Sequence, residues 1–231
     1  MYTRVLLKLS GGALGTKDEL ISGEMLCGVA GQLMALQAMG VKVGVVLGGG
    51  NILRGRAAKT MQRNRADQLG MLATVINALA LQDTLLNMRA GCTVLSAVEM
   101  PRFCDTYTYR GLEAALEADK IVIFAAGTGH PFFSTDTTAA LRAAQMGAEI
   151  MLLAKNIDGV YSADPKLDPN AIRYDTLTPE QVLSERLRAT DLTAITLCDE
   201  RNIPILVFGL NEKDGILRAV KGERVGTLIK R

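Results

Sequence analysis

The chain has 231 residues, of which 48% are hydrophobic and only 4% aromatic, and its formal net charge is +2. That length fits one large α/β domain or two small ones, the apolar share argues against disorder, and the charge is too weak to make nucleic acid the main partner. Four cysteines without metal spacing (Cys27, Cys92, Cys104, Cys198) and a single histidine argue against a zinc site or a disulfide framework and favour a reduced, cytoplasmic protein.

The chain opens on a basic residue and an apolar run, but Lys8 interrupts the run, which is too short for a signal peptide. No segment reads as the roughly 20 apolar residues of a membrane span. From there, short β-branched runs alternate with helical patterns. Strands are expected at Arg4–Leu9, Lys42–Leu47, Thr93–Ser96, Lys120–Ala125, Glu149–Leu153 and Ile205–Phe208. Helices are expected at about Glu24–Met39, Ala66–Met88, Gly111–Asp119, Thr137–Met146, Pro179–Arg188 and Leu192–Arg201. This alternation predicts an open, mostly parallel sheet covered by helices on both faces, in one domain with no linker or internal repeat. At the fifth helix, Thr178 can cap, Pro179 suits the first helical position and Gln181 can close a capping box. In the second helix Leu69, Leu72, Ile76 and Leu79 form one apolar stripe, with Met71, Val75 and Leu81 off it. A helix this apolar is either interior or part of a subunit interface.

Ligands of open α/β sheets sit beyond the carboxyl ends of the strands. Four expected strand ends carry glycine-rich or polar loops: KLSGGALG, GGGNILRGR, AGTGHPFFSTD and AKNIDGVYSADP. Gly50 and Gly55 have the spacing of a P-loop, but Arg56 and Ala57 stand where its Lys and Ser/Thr belong. Nor is there a dinucleotide fingerprint: Leu53 replaces its third glycine and no acidic strand end follows. The loop still suits a phosphate, because glycine lets backbone N–H groups approach an anion, and Arg54 adds a planar cation.

Lys8 lies in an aliphatic strand and is either paired, at a solvated strand end, or reaching a site. Asp136 either caps the following helix or orients Lys8. Asp67 either favours the start of its helix or accepts hydrogen bonds from sugar hydroxyls. His130, alone of its kind, suits a loop wall better than catalysis. No Ser-His-Asp set, HExxH motif or carboxylate pair is evident. Phosphoryl transfer, which needs positioning and charge neutralisation more than proton transfer, fits such an inventory.

The segments Leu6–Leu14, Gly44–Gly55, Gly70–Leu85, Ala126–Ala143, Lys155–Pro165 and the terminal GTLI, in this order, resemble the amino-acid-kinase superfamily and, within it, the bacterial uridylate (UMP) kinases. The pairing of GMLATVIN with GTGHPFFSTD carries the narrower likeness. The resemblance implies a three-layer α/β/α sandwich, a cytoplasmic homohexamer, and transfer of the ATP γ-phosphate to UMP to give UDP in pyrimidine synthesis, with Mg²⁺ accompanying ATP. It implies catalytic roles for Lys8, Arg54 and Asp136. Leu9, Ser10, Gly11 and Gly50 would join Lys8 and Arg54 on the ATP phosphates, and Lys155 or Asn156, with Tyr161 and Asp164, would hold the adenosine. UMP would meet Gly49, Asp67, Thr128, Gly129, His130, Pro131, Phe132, Phe133, Ser134 and Thr135. The family often has Asn where His130 stands, and Thr or Asn where Lys155 stands. Its GTP-activation segment would fall at Thr16–Glu24, which here reads TKDELISGE; UTP inhibition is a family expectation. The alternatives are a superfamily kinase acting on a carboxylate or carbamate, or a non-catalytic nucleotide- or oxyanion-binding protein, which Lys8 and Arg54 disfavour.

Overall fold

A computed structural model of the chain describes residues 1–53, 61–187, 190–210 and 212–231. In chain order the elements are β1 (Arg4–Leu9), α1 (Gly23–Ala38), β2 (Lys42–Leu47), α2 (Arg63–Asn87), β3 (Cys92–Ser96), β4 (Asp105–Thr106), α3 (Tyr109–Glu117), β5 (Ile121–Ala125) and α4 (Thr135–Gln145). They continue with β6 (Ile150–Lys155), β7 (Val160–Tyr161), β8 (Arg173–Tyr174), β9 (Thr176–Leu177), α5 (Pro179–Ser184), α6 (Leu192–Glu200), β10 (Ile205–Gly209), α7 (Gly215–Lys221) and β11 (Thr227–Ile229).

A nine-stranded sheet runs β4-β3-β5-β2-β1-β6-β10-β11-β9, and β7 pairs with β8 in a separate hairpin. All of its neighbouring pairs are parallel except β10 and β11. Because side chains alternate across a strand, the sheet builds a separate core on each face. Val5, Leu7 and Leu9 pack with Leu33 of α1, Leu81 of α2 and Ala219 of α7. Leu6, Phe124 and Leu153 pack on the other face with Leu116 of α3, Ala140 of α4, Val182 of α5 and Ile195 of α6. The result is the expected three-layer α/β/α sandwich.

The six expected strands and six expected helices all form, most of them within one or two residues of their expected ends. The second helix starts three residues earlier than expected, at Arg63, and the fifth departs further. Thr178 and Gln181 form the expected capping box, but the helix stops at Ser184, and Arg186 has a positive φ of 51°. The short strands β4, β7, β8, β9 and β11 and helix α7 were not expected.

Helix α2 bears on two expectations. By length and composition it could cross a membrane. It lies instead against the sheet, with Ala73, Val75, Ala78, Leu81 and Leu85 buried, as a core helix does. The residues of the apolar stripe divide between the two sides of the helix, and Leu79 packs against the core. Leu72 and Ile76 are 48% and 49% exposed, while Val75 and Leu81, assigned off the stripe, face the core. Small and polar residues (Ala73, Thr74, Asn77, Ala78) share the inward face with them.

Candidate active site

In an open sheet the binding crevice forms where successive connections leave in opposite directions. Here β1 leads to β2 on one side and β6 leads to β10 on the other, so that point lies between the adjacent strands β1 and β6. Both strands end on lysine-bearing segments. Lys8 is two residues beyond Leu6, and Lys155 two beyond Leu153; both leucines face the α4 side. Period-two alternation therefore sends both ammonium groups toward the same helix.

They converge on Asp136 in the first turn of α4. Lys8 Nζ is 2.8 Å from Asp136 Oδ1, and Lys155 Nζ is 3.0 Å from Oδ2. Thr190 Oγ1 also donates to Oδ2 at 2.7 Å. Lys8 is buried, which rules out the solvated strand end. The N-cap of α4 is Ser134, whose hydroxyl accepts from the N–H groups of Asp136 and Thr137, so Asp136 is not the cap. Burial pushes the Asp136 carboxyl up, but the charges of Lys8 and Lys155 and the hydrogen bonds from Lys8 and Thr190 outweigh it. The group is held well below the usual carboxylate range. It is ionised at neutral pH, and the trio carries one net positive charge.

Two glycine loops meet beside this trio. Gly48 N–H donates to Leu9 O at 2.9 Å. A Cβ on Gly11 would come within 2.8 Å of Gly50 N, and one on Gly49 within 2.9 Å of Gly70 O and 2.8 Å of Ala73 Cβ. Only glycine allows these backbones to approach so closely. Ser10 directly follows β1, with its hydroxyl buried and without a hydrogen-bond partner among the described residues. A buried polar group of this kind is expected to meet a ligand or ordered water.

The second loop is held from α2 by residues not singled out in the sequence. Fully buried Asn77 donates to Gly48 O at 2.7 Å and to Asn51 Oδ1 at 2.8 Å, and accepts from Asn51 Nδ2 at 3.0 Å. Asn51 in turn donates to Leu20 O at 2.7 Å. One turn earlier, Thr74 Oγ1 accepts from Ala126 N at 2.9 Å, fixing a loop in which Ala126 and Phe132 have φ of 60° and 72°. The signal was available: a polar side chain in an otherwise apolar helix must find a partner.

A cleft on this side is lined by Gly49, Gly50, Asp67, Thr128, His130, Phe133 and Thr135, together with Leu53, Ala66, Gly70 and Met71. Asp67 lies in the second turn of α2, not at its start. It accepts from Arg63 Nε at 2.8 Å and from Phe132 N–H at 2.8 Å, which ties the helix to the loop. His130 is exposed and forms part of the wall. Gly129, Pro131, Phe132 and Ser134 do not line the cleft, and the Ser134 hydroxyl is committed to the α4 cap and to Asp191.

On the other side of the trio lies a cavity of about 1080 Å³. Lys155, Asn156, Tyr161 and Asp164 line it, with Gly209 and Leu210 from the end of β10. Tyr161 OH and Arg173 Nη1 donate to Asp158 at 2.8 and 2.9 Å, bracing the β7–β8 hairpin at its wall. Asp164 Oδ1 accepts from Lys166 N–H in a local turn. Arg54 lies outside the described residues.

The sequence of residues 3–209 matches the model of the amino acid kinase family. The chain belongs to this family. Among solved structures it is similar to the UMP kinase of Ureaplasma parvum, with 37% identity, all of both chains covered and a TM-score of 0.95. It is also similar to the UMP kinase of Bacillus anthracis, with 34% identity over 99% of this chain and 96% of that one and a TM-score of 0.95. The uridylate kinase of Archaeoglobus fulgidus is more distant in shape: 30% identity over 97% and 99% of the two chains, with a TM-score of 0.73.

Proposed function

We propose that this chain transfers the terminal phosphoryl group of ATP to UMP, giving ADP and UDP, in pyrimidine nucleotide synthesis. The observation that carries the reading is the full-length likeness to two bacterial UMP kinases at 37% and 34% identity. The geometry is consistent with it, since two openings flank one buried, net-positive cluster at the switch point of the sheet.

In this reading the triphosphate lies over Leu9, Ser10, Gly11 and Gly50, whose backbone N–H groups receive its oxygens. The buried Ser10 hydroxyl gains a partner there. Asn156, Tyr161 and Asp164 hold the adenosine in the large cavity. UMP enters the cleft lined by Gly49 and Asp67, with Asp67 on the ribose and residues 128–135 around the base. Lys8 and Arg54 neutralise the phosphoryl in transit, and Asp136 keeps Lys8 in place. The acceptor is already an anion near neutral pH, so no proton acceptor is required. That accounts for a site of amides and cations without an acid–base pair.

Among the described residues no three His, Cys, Asp or Glu side chains converge on a metal position, and Asp136 has both oxygens on ammonium groups. In this reading Mg²⁺ enters with the ATP phosphates as part of the substrate. The outward apolar face of α2 (Leu72, Ile76 and Leu86, each about half exposed) supports a subunit contact in a cytoplasmic homohexamer. UTP inhibition belongs to the same reading.

The test is an acceptor panel. Purified protein with ATP and Mg²⁺ is offered UMP, CMP, AMP, GMP, and representative carboxylate and carbamate acceptors. UMP should give the highest kcat/KM; if it does not outperform the other acceptors, the assignment fails.

A further inference from the structure

Lys155 belongs by position to the wall of the large cavity, yet its charged end does not stay among the groups that would meet a sugar or a base. It turns inward and ends 3.0 Å from Asp136 Oδ2, while Lys8 ends 2.8 Å from the other oxygen of the same carboxylate. Its side chain is only 20% exposed, against 9% for Lys8. Bringing two cations into one partly buried place costs free energy, and a single carboxylate cannot neutralise both. The fold nonetheless places them together by the same rule, two residues beyond an inward leucine on adjacent strands. Thr190 supplies a further hydrogen bond to the oxygen that Lys155 uses.

The remaining positive charge has a use if two phosphates must be brought together. Transfer between two anions is opposed by their repulsion and by the charge carried on the phosphoryl oxygens, and fixed cations in a water-poor site counter both. We propose that Lys155 is a second cation for the phosphoryl group in transit, held with Lys8 across Asp136, and not a contact to the adenosine. This rests on the phosphotransfer reading above. No bond to Lys155 is made or broken: the phosphoryl leaves the ADP oxygen and joins the acceptor oxygen while both ammonium groups remain protonated.

The experiment compares the full-length protein with Lys155→Met and Lys155→Arg. Affinities for AMP, ADP and ATP are measured by calorimetry without an acceptor, and turnover is measured with UMP. In Lys155→Met, AMP affinity should be unchanged and ATP affinity should fall more than ADP affinity. Turnover should drop on the order of 10²-fold, the usual loss for one preorganised charge-stabilising donor. Lys155→Arg should recover part of both. Equal weakening of AMP, ADP and ATP would put Lys155 on the adenosine and overturn the proposal. Equal weakening of ADP and ATP with AMP untouched would put it on the β-phosphate and also overturn it, as would wild-type turnover. If Lys155→Met does not fold, Lys155→Gln serves in the same comparison. A wild-type protein inactive with UMP, whose ATP-over-ADP preference still depends on Lys155, would sink the acceptor assignment and leave this inference standing.

Discussion

Replacing Asn77 by alanine tests whether the glycine loop is rigid because α2 holds it. The side chain is fully buried and makes three hydrogen bonds, two donated and one accepted. At about 1 kcal/mol net for each, their loss comes to about 3 kcal/mol. Gly48 O is left without this donor, which adds to the loss, while Asn51 keeps its bond to Leu20 O and can rotate toward solvent, which reduces it. The expected destabilisation is therefore about 2–4 kcal/mol. In a chain of this length that is a fall in Tm of roughly 5–15 °C. Denaturant unfolding should show a lower midpoint with an unchanged slope, because the defect is local. At a temperature where the variant stays folded, kcat/KM for the nucleotide substrates should still fall at least about tenfold, since the loop amides lose their preorganised positions. Asn77→Asp is the sharper control. It keeps the shape but replaces both donors with acceptors facing Gly48 O and Asn51 Oδ1, so it should be worse than alanine. An alanine variant within about 0.5 kcal/mol of wild type and with unchanged kinetics would refute the reasoning.

Asp136→Asn should cost stability, because two ammonium groups then share a place with no carboxylate; loss of one partner of a buried ion pair typically costs about 3–5 kcal/mol. Adding Lys155→Met should restore part of the loss, and strict additivity of the two substitutions in a denaturation cycle would contradict the shared-carboxylate geometry. Because the folded-state carboxyl of Asp136 is depressed, its stabilisation is complete above the unfolded carboxylate range and is lost as pH falls through that range toward its folded value. Acid unfolding of the wild type should therefore be steeper below about pH 4 than that of Asp136→Asn. Asp67→Asn should mainly raise KM for UMP and weaken the Arg63 contact; an effect confined to ATP would place Asp67 with the wrong substrate. Thiol labelling at pH 8 should modify exposed Cys27 quickly and spare Cys198, which burial and then the charge of Asp191 push up to about 12; rapid native-state labelling of Cys198 would contradict its packing.

The parallel sheet was legible because its strands are nearly continuous apolar runs between helical patterns, as strands buried on both faces must be. The elements that escaped notice are short: β4, β7, β8 and β9 have two residues each and β11 three, too few for a period to register. Lys8 and Asp136 could be named in advance because a lysine is out of place in an aliphatic strand and the aspartate follows a polar, glycine-rich loop at an expected strand end. Their pairing was only one of the readings open, since they are far apart in sequence. Lys155 was legible as a loop residue but not as a partner of Asp136, because its direction follows from where β6 ends. That end lies two residues past Leu153, the limit assigned from the sequence, and the extension to Lys155 makes the side chain obey the strand's alternation and face α4. The same logic explains which face of α2 turns inward, a point the apolar pattern left open. Its outward leucine and isoleucine look like core by hydrophobicity, whereas its inward alanines, Thr74 and Asn77 are small or polar because they must let Gly49 approach and must bond Ala126 and Gly48. At this site the side chains that departed from the simple apolar pattern are the ones that hold the loops, so a helix chosen only to maximise buried hydrocarbon would cover the sheet and lose the anion-facing backbone.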